Sequence, residues 1–220
     1  MKPRIYLAGP EVFLPDAVEA GERKKVICEL HGFEGVYPLD SVLDLNGLSP
    51  RDAAFAIGRA NEDLIRSCQM VVANITPFRG PSADVGTVYE MGFGAALGLR
   101  VSAYTNVPTD LLTRTQNYLE FEPHMVCDDD GMRVESFGLR DNLMIEQSID
   151  RTGGRMVIHH SVFEKRFVDL NGFNQLLFRL QWRYPLVVPL VFGTSMGSPE
   201  LKSGVRIPPS GLSFIMDAYE

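Results

Sequence analysis

Short apolar runs alternate with amphipathic stretches along the first half of the chain. Residues 4–9, RIYLAG, form an apolar run closed by Gly-Pro and predict a buried strand. Residues 15–32, PDAVEAGERKKVICELHG, predict a helix with Pro15 early and Gly32 at its end. FEGVYPLD (33–40) predicts a second strand running into a loop. SPRD (49–52) has the form of a capping box with proline at the first helical position. It opens a helix over about 50–68, with Ala53, Ile57, Ala60, Leu64 and Cys68 at helical spacing. QMVVANI (69–75) predicts a third strand, TPFRGPSA a loop, residues 84–99 a helix, and RVSAYTN (100–106) a fourth strand. This β-α-β-α-β-α-β order implies a doubly wound parallel sheet with helices on both faces and right-handed crossovers.

The second half is less regular. Residues 107–139 read as loop with one short helix, and DDDG (128–131) as a turn. LRDNLMIEQSI (139–149) predicts a helix, RMVIHH (155–160) a fifth strand, and FNQLLFRLQWRY (173–184) an amphipathic helix. The expected organisation is one α/β domain over 1–184, with a sheet of about five strands. Residues 185–220, rich in Pro, Gly and Ser, form a C-terminal extension expected to pack on the domain or on a neighbouring subunit.

In open parallel sheets ligands bind beyond the carboxyl ends of the strands, near a topological switch point. AGPEVF after the first strand, NITPFRGPSAD after the third, and the start of the 84–99 helix all point there. That helix, DVGTVYEMGFGAALGL, holds one residue ionisable near neutral pH between Val85 and Leu99, namely Glu90. A helix apolar on nearly all sides is expected to be buried, and a carboxylate on it must be paired, raised in pKa, or facing a polar cavity. Asp84 is placed as the helix cap at the cleft mouth, about 9 Å along the axis from Glu90. Glycines 86, 92 and 94 leave room for a backbone or ligand. From this local pattern an ion pair of Glu90 with Arg59 or Arg79 and a functional carboxylate are equally readable. Two carboxylates on one cleft wall suit glycosidic-bond chemistry.

Composition narrows the partners. With 45% hydrophobic residues the chain is expected to be globular, and 21 basic against 28 acidic residues give a net charge of −7. That balance argues against a nucleic-acid surface. Three widely spaced cysteines, Cys28, Cys68 and Cys127, suggest neither a zinc site nor a disulfide framework. A reducing cytoplasm is the expected location. The start, MKPRIYLAGPEVFLP, is too interrupted for a signal peptide, and no stretch approaches the roughly 20 apolar residues of a membrane span.

Four motifs, IYLAGPEVF, NEDLIRSC, PFRGPSADVGTVYEMGFGAAL and FGLRDNLM, occur in the order and at roughly the spacing of the nucleoside 2-deoxyribosyltransferases. The chain resembles that family over about 4–149. The resemblance implies a flavodoxin-like or Rossmann-like fold, a nucleoside and a free base as substrates, and a double displacement without cofactor or metal. Glu90 then matches the glutamate that attacks C1′ and forms a deoxyribosyl ester. Asp84 matches the aspartate holding the sugar, Asp63 the aspartate that meets the base and helps its proton traffic, and Tyr6 the tyrosine that orients the nucleophile. Asn142 and Met144 match residues lent by a neighbouring subunit, which makes a homo-oligomer the expected state. Gly9, Pro10, Phe13 and Gly86 are the expected substrate-binding positions around the cleft, with Asp40 as a base contact.

Each residue also has a plainer reading. Tyr6 fits a core strand, Asp63 a solvated helix face, and Asn142 and Met144 a helix start and its packing. His159 and His160, adjacent on a strand, point to opposite faces and are not expected to act as a pair. The segment around 150–172 and the tail after 184 exceed the family's compact domain, so no terminal carboxylate is carried over. LDSVLDLNGLSP (39–50) does not choose between purine and pyrimidine. Three alternatives remain. One is a hydrolase of the same clan; its 5′-monophosphate subset is disfavoured because Pro10 and acidic Glu11 stand where a phosphate cradle is needed. GTVYE also resembles an element of cytokinin-activating phosphoribohydrolases, though their upstream paired glycines are missing. The third is a non-catalytic nucleotide-sensing module.

Overall fold

The computed structural model describes residues 2–122 and 124–181. The proposed tail, 185–220, and the last three residues of the predicted 173–184 helix lie outside the described residues. Five parallel strands form one sheet: β1 (Arg4–Ala8), β2 (Glu34–Val36), β3 (Met70–Asn74), β4 (Arg100–Thr105) and β5 (Met156–Ile158), ordered β2-β1-β3-β4-β5. The order reverses between β1 and β3, which opens a crevice at their carboxyl ends. Register is continuous there, with Tyr6 beside Val71 and Ala8 beside Ala73.

The period of two along β1 decides which layer each residue joins. Ile5 and Leu7 enter a core with Cys28, Phe33, Val72, Tyr104, Phe173 and Leu177. That core is closed by α1 (Ala17–Leu30) and α6 (Asn171–Gln181). Tyr6 and Ala8 point the other way, into a core with Val71, Met91, Ala95, Ile145 and Ile149. Its helices are α2 (Pro50–Arg66), α3 (Val85–Ala96) and α5 (Leu143–Arg151). A remaining helix, α4 (Leu111–Leu119), lies in the 107–139 segment that reads mostly as loop. Each fully buried aliphatic side chain contributes roughly 1.5–3 kcal/mol, so the two cores hold the sheet rigid beneath its loops.

Several local expectations are refined. The second strand is only three residues long, because Pro38 cannot continue the ladder and opens a 3₁₀ turn, Pro38–Asp40. Ser49 caps α2 by accepting from the Asp52 amide at 3.2 Å, while the Asp52 carboxylate takes the Ser49 hydroxyl at 2.6 Å. Within α2 only Ile65 is buried, and Phe55 and Ile57 remain 52% and 42% exposed. The apolar stripe read from spacing therefore meets the core only at its carboxyl end. α3 is not buried on nearly all sides either. It packs through Thr87, Met91, Gly94 and Ala95, while Val85 and Tyr89 face outward. Gly94 is needed for that packing: a Cβ there would lie 2.6 Å from a Val71 methyl. The DDDG turn is present, with Gly131 at φ 75° and Cys127 bridged to Arg133. Among the described residues no helix is long and apolar enough to cross a membrane.

Candidate active site

Three segments converge above the carboxyl ends of β1 and β3. Gly9 is extended and leads into a 3₁₀ turn, Pro10–Phe13. The second segment is the loop from Ile75 to Ala83, which leaves β3 beside Gly9: a Cβ on Gly9 would lie 3.0 Å from the Cβ of Asn74, the last residue of β3. Across the mouth, the rings of Phe13 and Phe78 stack at 5.3 Å. The third is the start of α3. Asp84 caps it as expected, its Oδ2 accepting from the Thr87 amide at 2.9 Å and the Thr87 hydroxyl at 3.1 Å. Gly86 leaves that carboxylate open, since a Cβ there would come within 3.1 Å of Asp84 Oδ2.

Glu90 lies further along α3 and meets a partner from the middle of the sheet. The Tyr6 hydroxyl donates to Glu90 Oε1 at 2.6 Å. Tyr6 is fully buried, so this donor cannot swing away. The alternative of an ion pair with Arg59 or Arg79 is overturned. Arg79 lies over the rings of Phe13 and Phe78, and Arg59 is exposed on α2. Burial pushes the Glu90 carboxyl up to about 7, and the negative charge of Asp84 adds to that rise. The Tyr6 hydrogen bond and the charge of Lys24 act in the opposite direction. Burial, then Glu90 itself, raises the Tyr6 phenol, which keeps it a donor. A carboxyl that changes charge near neutrality, oriented through one oxygen, suits covalent or acid–base work.

The remaining predicted residues divide. Gly9, Pro10, Phe13 and Gly86 lie on the converging segments, with Pro10 buried and Phe13 55% exposed at the rim. Asp40 closes its own turn by accepting from the Tyr37 amide at 2.9 Å and from Lys25 Nζ. Asp63 is exposed on α2 and pairs with Arg66 at 3.1 Å. Within one chain neither joins the Tyr6–Glu90 pair. It is the neighbouring Glu62 that reaches α3, accepting from the Tyr89 hydroxyl at 2.5 Å. Asn142 caps α5 through the Met144 amide and donates to Glu135, and Met144 is 63% exposed. Both stand outward. His159 pairs with Asp169 at 3.1 Å, and among the described residues no cluster of potential metal ligands occurs.

Two features escape the sequence reading. Asp141, buried, accepts from the Ala83 amide at 2.8 Å and lies 3.6 Å from Arg114. It ties the loop before Asp84 to the start of α5. Glu11, read above as an acidic group facing the cleft, is instead 1% exposed and bonded to Lys24 Nζ at 2.6 Å. Its charge is answered inside the protein, so its acidity no longer argues against an anionic ligand. The signal lay in α1: Ala20, Lys24 and Cys28, four residues apart, put a lysine in the middle of the buried stripe.

The model of the nucleoside 2-deoxyribosyltransferases matches residues 5–144. The solved 2-desoxiribosyltransferase from Leishmania mexicana is 30% identical, with 76% of this chain and 96% of that chain covered and a TM-score of 0.53. An uncharacterized protein of Schizosaccharomyces pombe is 29% identical over 177 residues, 74% of this chain and 84% of its own. The matched span contains the three converging segments, Tyr6, Asp84, Glu90 and the Asn142–Met144 motif, and the chain belongs to the nucleoside 2-deoxyribosyltransferase family.

Proposed function

We propose that this protein transfers 2-deoxyribose between nucleobases through a covalent intermediate on Glu90. The observation that carries this reading is the Tyr6–Glu90 contact at 2.6 Å, which fixes one carboxylate oxygen at the sheet's switch point. With Oε1 held, Oε2 is the oxygen that attacks C1′. The C1′–N bond breaks, the base leaves with its electron pair and takes up a proton, and a glutamyl ester forms. A ring nitrogen of the second base then attacks C1′, loses its proton, and the ester C–O bond breaks to restore the carboxylate. Two inversions give net retention. The transition state has oxocarbenium character, and Asp84 stabilises it as a second negative charge. Because Glu90 reacts as carboxylate, the rate rises as pH passes upward through about 7.

In this scheme Asn142 and Met144 serve a neighbouring subunit's sugar, and Asp63 meets the base. The outward apolar residues of α2 and α3, Phe55, Ile57, Val85 and Tyr89, support burial against a second copy. Sedimentation of an active monomer would contradict that part. The reaction is tested by incubating a deoxynucleoside with and without a second free base. Exchange that depends on the acceptor is expected, whereas base release indifferent to the acceptor identifies an N-glycosidase. Mass spectrometry after reaction with a 2-fluoro-substituted deoxynucleoside should show the sugar on Glu90.

A further inference from the structure

Behind the candidate site runs a buried polar chain. Lys24 Nζ, Asn74 Nδ2 and the Tyr104 hydroxyl donate to the same oxygen, Glu11 Oε1, at 2.6, 3.0 and 2.9 Å. Asn74 Oδ1 accepts from the Thr76 amide at 3.0 Å, and the Thr76 hydroxyl accepts from the Asn106 amide at 3.0 Å. The side chain of Asn106 donates to the carbonyls of Arg166 and Asp169, both at 2.8 Å. Lys24, Asn74, Thr76 and Asn106 are all 0% exposed, and Glu11 is 1% exposed. The chain therefore links α1, the turn after β1 and the loops after β3, β4 and β5. Its ammonium also lies over the rings of Tyr104 and Phe173, at 5.6 and 5.2 Å.

A buried ion pair is seldom retained for stability, since apolar replacements of similar volume are often neutral or better. The geometry here offers another reason. The second oxygen, Glu11 Oε2, has no hydrogen-bond partner, and a Cβ on Gly9 would lie 2.0 Å from it. The carboxylate thus fills the space beside the Gly9 backbone, and Lys24 holds it there. We infer that the Glu11–Lys24 pair is a positioning device for the crevice wall, fixing the Gly9–Phe13 turn from inside the fold. The charged and titratable groups acting on Glu90 are Tyr6, Asp84 and Lys24, and Lys24 opposes the rise that burial and Asp84 cause. Those around the pair are Tyr104, Tyr37 and Cys28, with Asp16, Asp40 and Asp169 more remote.

This inference rests on Glu90 as the reacting group, and its test separates the two. Glutamate side chains are labelled with ¹³C, Glu90 is assigned by its loss in Glu90→Gln, and its titration is followed in the wild type and in Glu11→Gln/Lys24→Met. The double variant removes both charges and keeps their volume. Because a cation and an anion are removed together, the Glu90 midpoint should stay within about 0.3 pH unit of the wild type. In base exchange kcat should fall about tenfold while KM stays within about threefold, as expected when a displaced turn leaves the bound sugar poorly aligned. A folded double variant with wild-type kcat overturns the inference. Should the double variant fail to fold, Tyr104→Phe removes one donor to Glu11 without touching a charge. It should lower kcat several-fold and leave the Glu90 midpoint in place, and an unchanged kcat would be equally fatal. A wild-type protein without base exchange sinks the proposed reaction, yet leaves the titration readable.

Discussion

Glu11 is buried and Glu90 partly buried, and the fold treats them in opposite ways. Glu11 is surrounded by a lysine, an amide and a phenol, all donating to one of its oxygens. Glu90 receives a single phenol, and the other charge it meets most strongly is the negative one of Asp84. One carboxylate is answered by a cation inside the core. The other is held only firmly enough to be aimed, and burial leaves it near neutrality. Under the proposed reaction, burial does not by itself make a carboxylate structural. What matters is whether its partner is a cation that satisfies it or a neutral donor that leaves it reactive.

The largest expected effect comes from removing the proposed nucleophile. Glu90→Gln should reduce base exchange by about 10⁴-fold or more in steady-state assays. Calorimetry should find nucleoside binding within about tenfold, or ~1.4 kcal/mol. Its counterpart, Glu11→Ala, should strike stability instead: breaking a buried pair costs about 3–5 kcal/mol, read by urea unfolding. If Glu11→Ala were as benign to unfolding as Glu90→Gln, the contrast would fail. Tyr6→Phe sharpens it, because a hydrogen bond to a charged group is worth about 1.5–3 kcal/mol. Losing the donor raises Glu90 further, so the acid limb of the kcat/KM profile should move to higher pH and neutral activity fall about tenfold.

A pH series separates the two glutamates without kinetics. The Glu90 pKa rises from 4.5 to about 7 on folding, so the folded state binds the proton more tightly. That contribution is complete below 4.5 and is lost as pH climbs through about 7. Wild-type Tm should therefore decline across this window, and Glu90→Gln should flatten the decline. The smallest effect is expected at Asp63, whose exposed pair with Arg66 should make Asp63→Asn neutral in stability to within about 0.5 kcal/mol. Any loss of exchange in that variant then reports on base handling rather than on folding.

Legibility followed the range of the interactions. The alternation of strands and helices and the two helix layers could be read because apolar runs and capping residues are local signals. Ser49 and Asp84 cap as their positions suggest. Glu90 stood out by being alone among apolar neighbours. Its partner Tyr6 is 84 residues away, and Asn74 is 63 residues from Glu11, so neither contact is encoded in any short pattern. The resemblance supplied Tyr6, but Glu11 was misread because acidity in a turn suggests exposure. Ile57 misled for a different reason: helical spacing reports an apolar face and does not say whether this chain alone covers it.

Tyr6 hangs from a strand paired on both sides, against β2 and β3. Peptide hydrogens at such a position exchange only when the whole domain opens. The alignment of Glu90 is thus tied to the most durable part of the molecule, and on heating, turnover should persist until global melting and vanish with it.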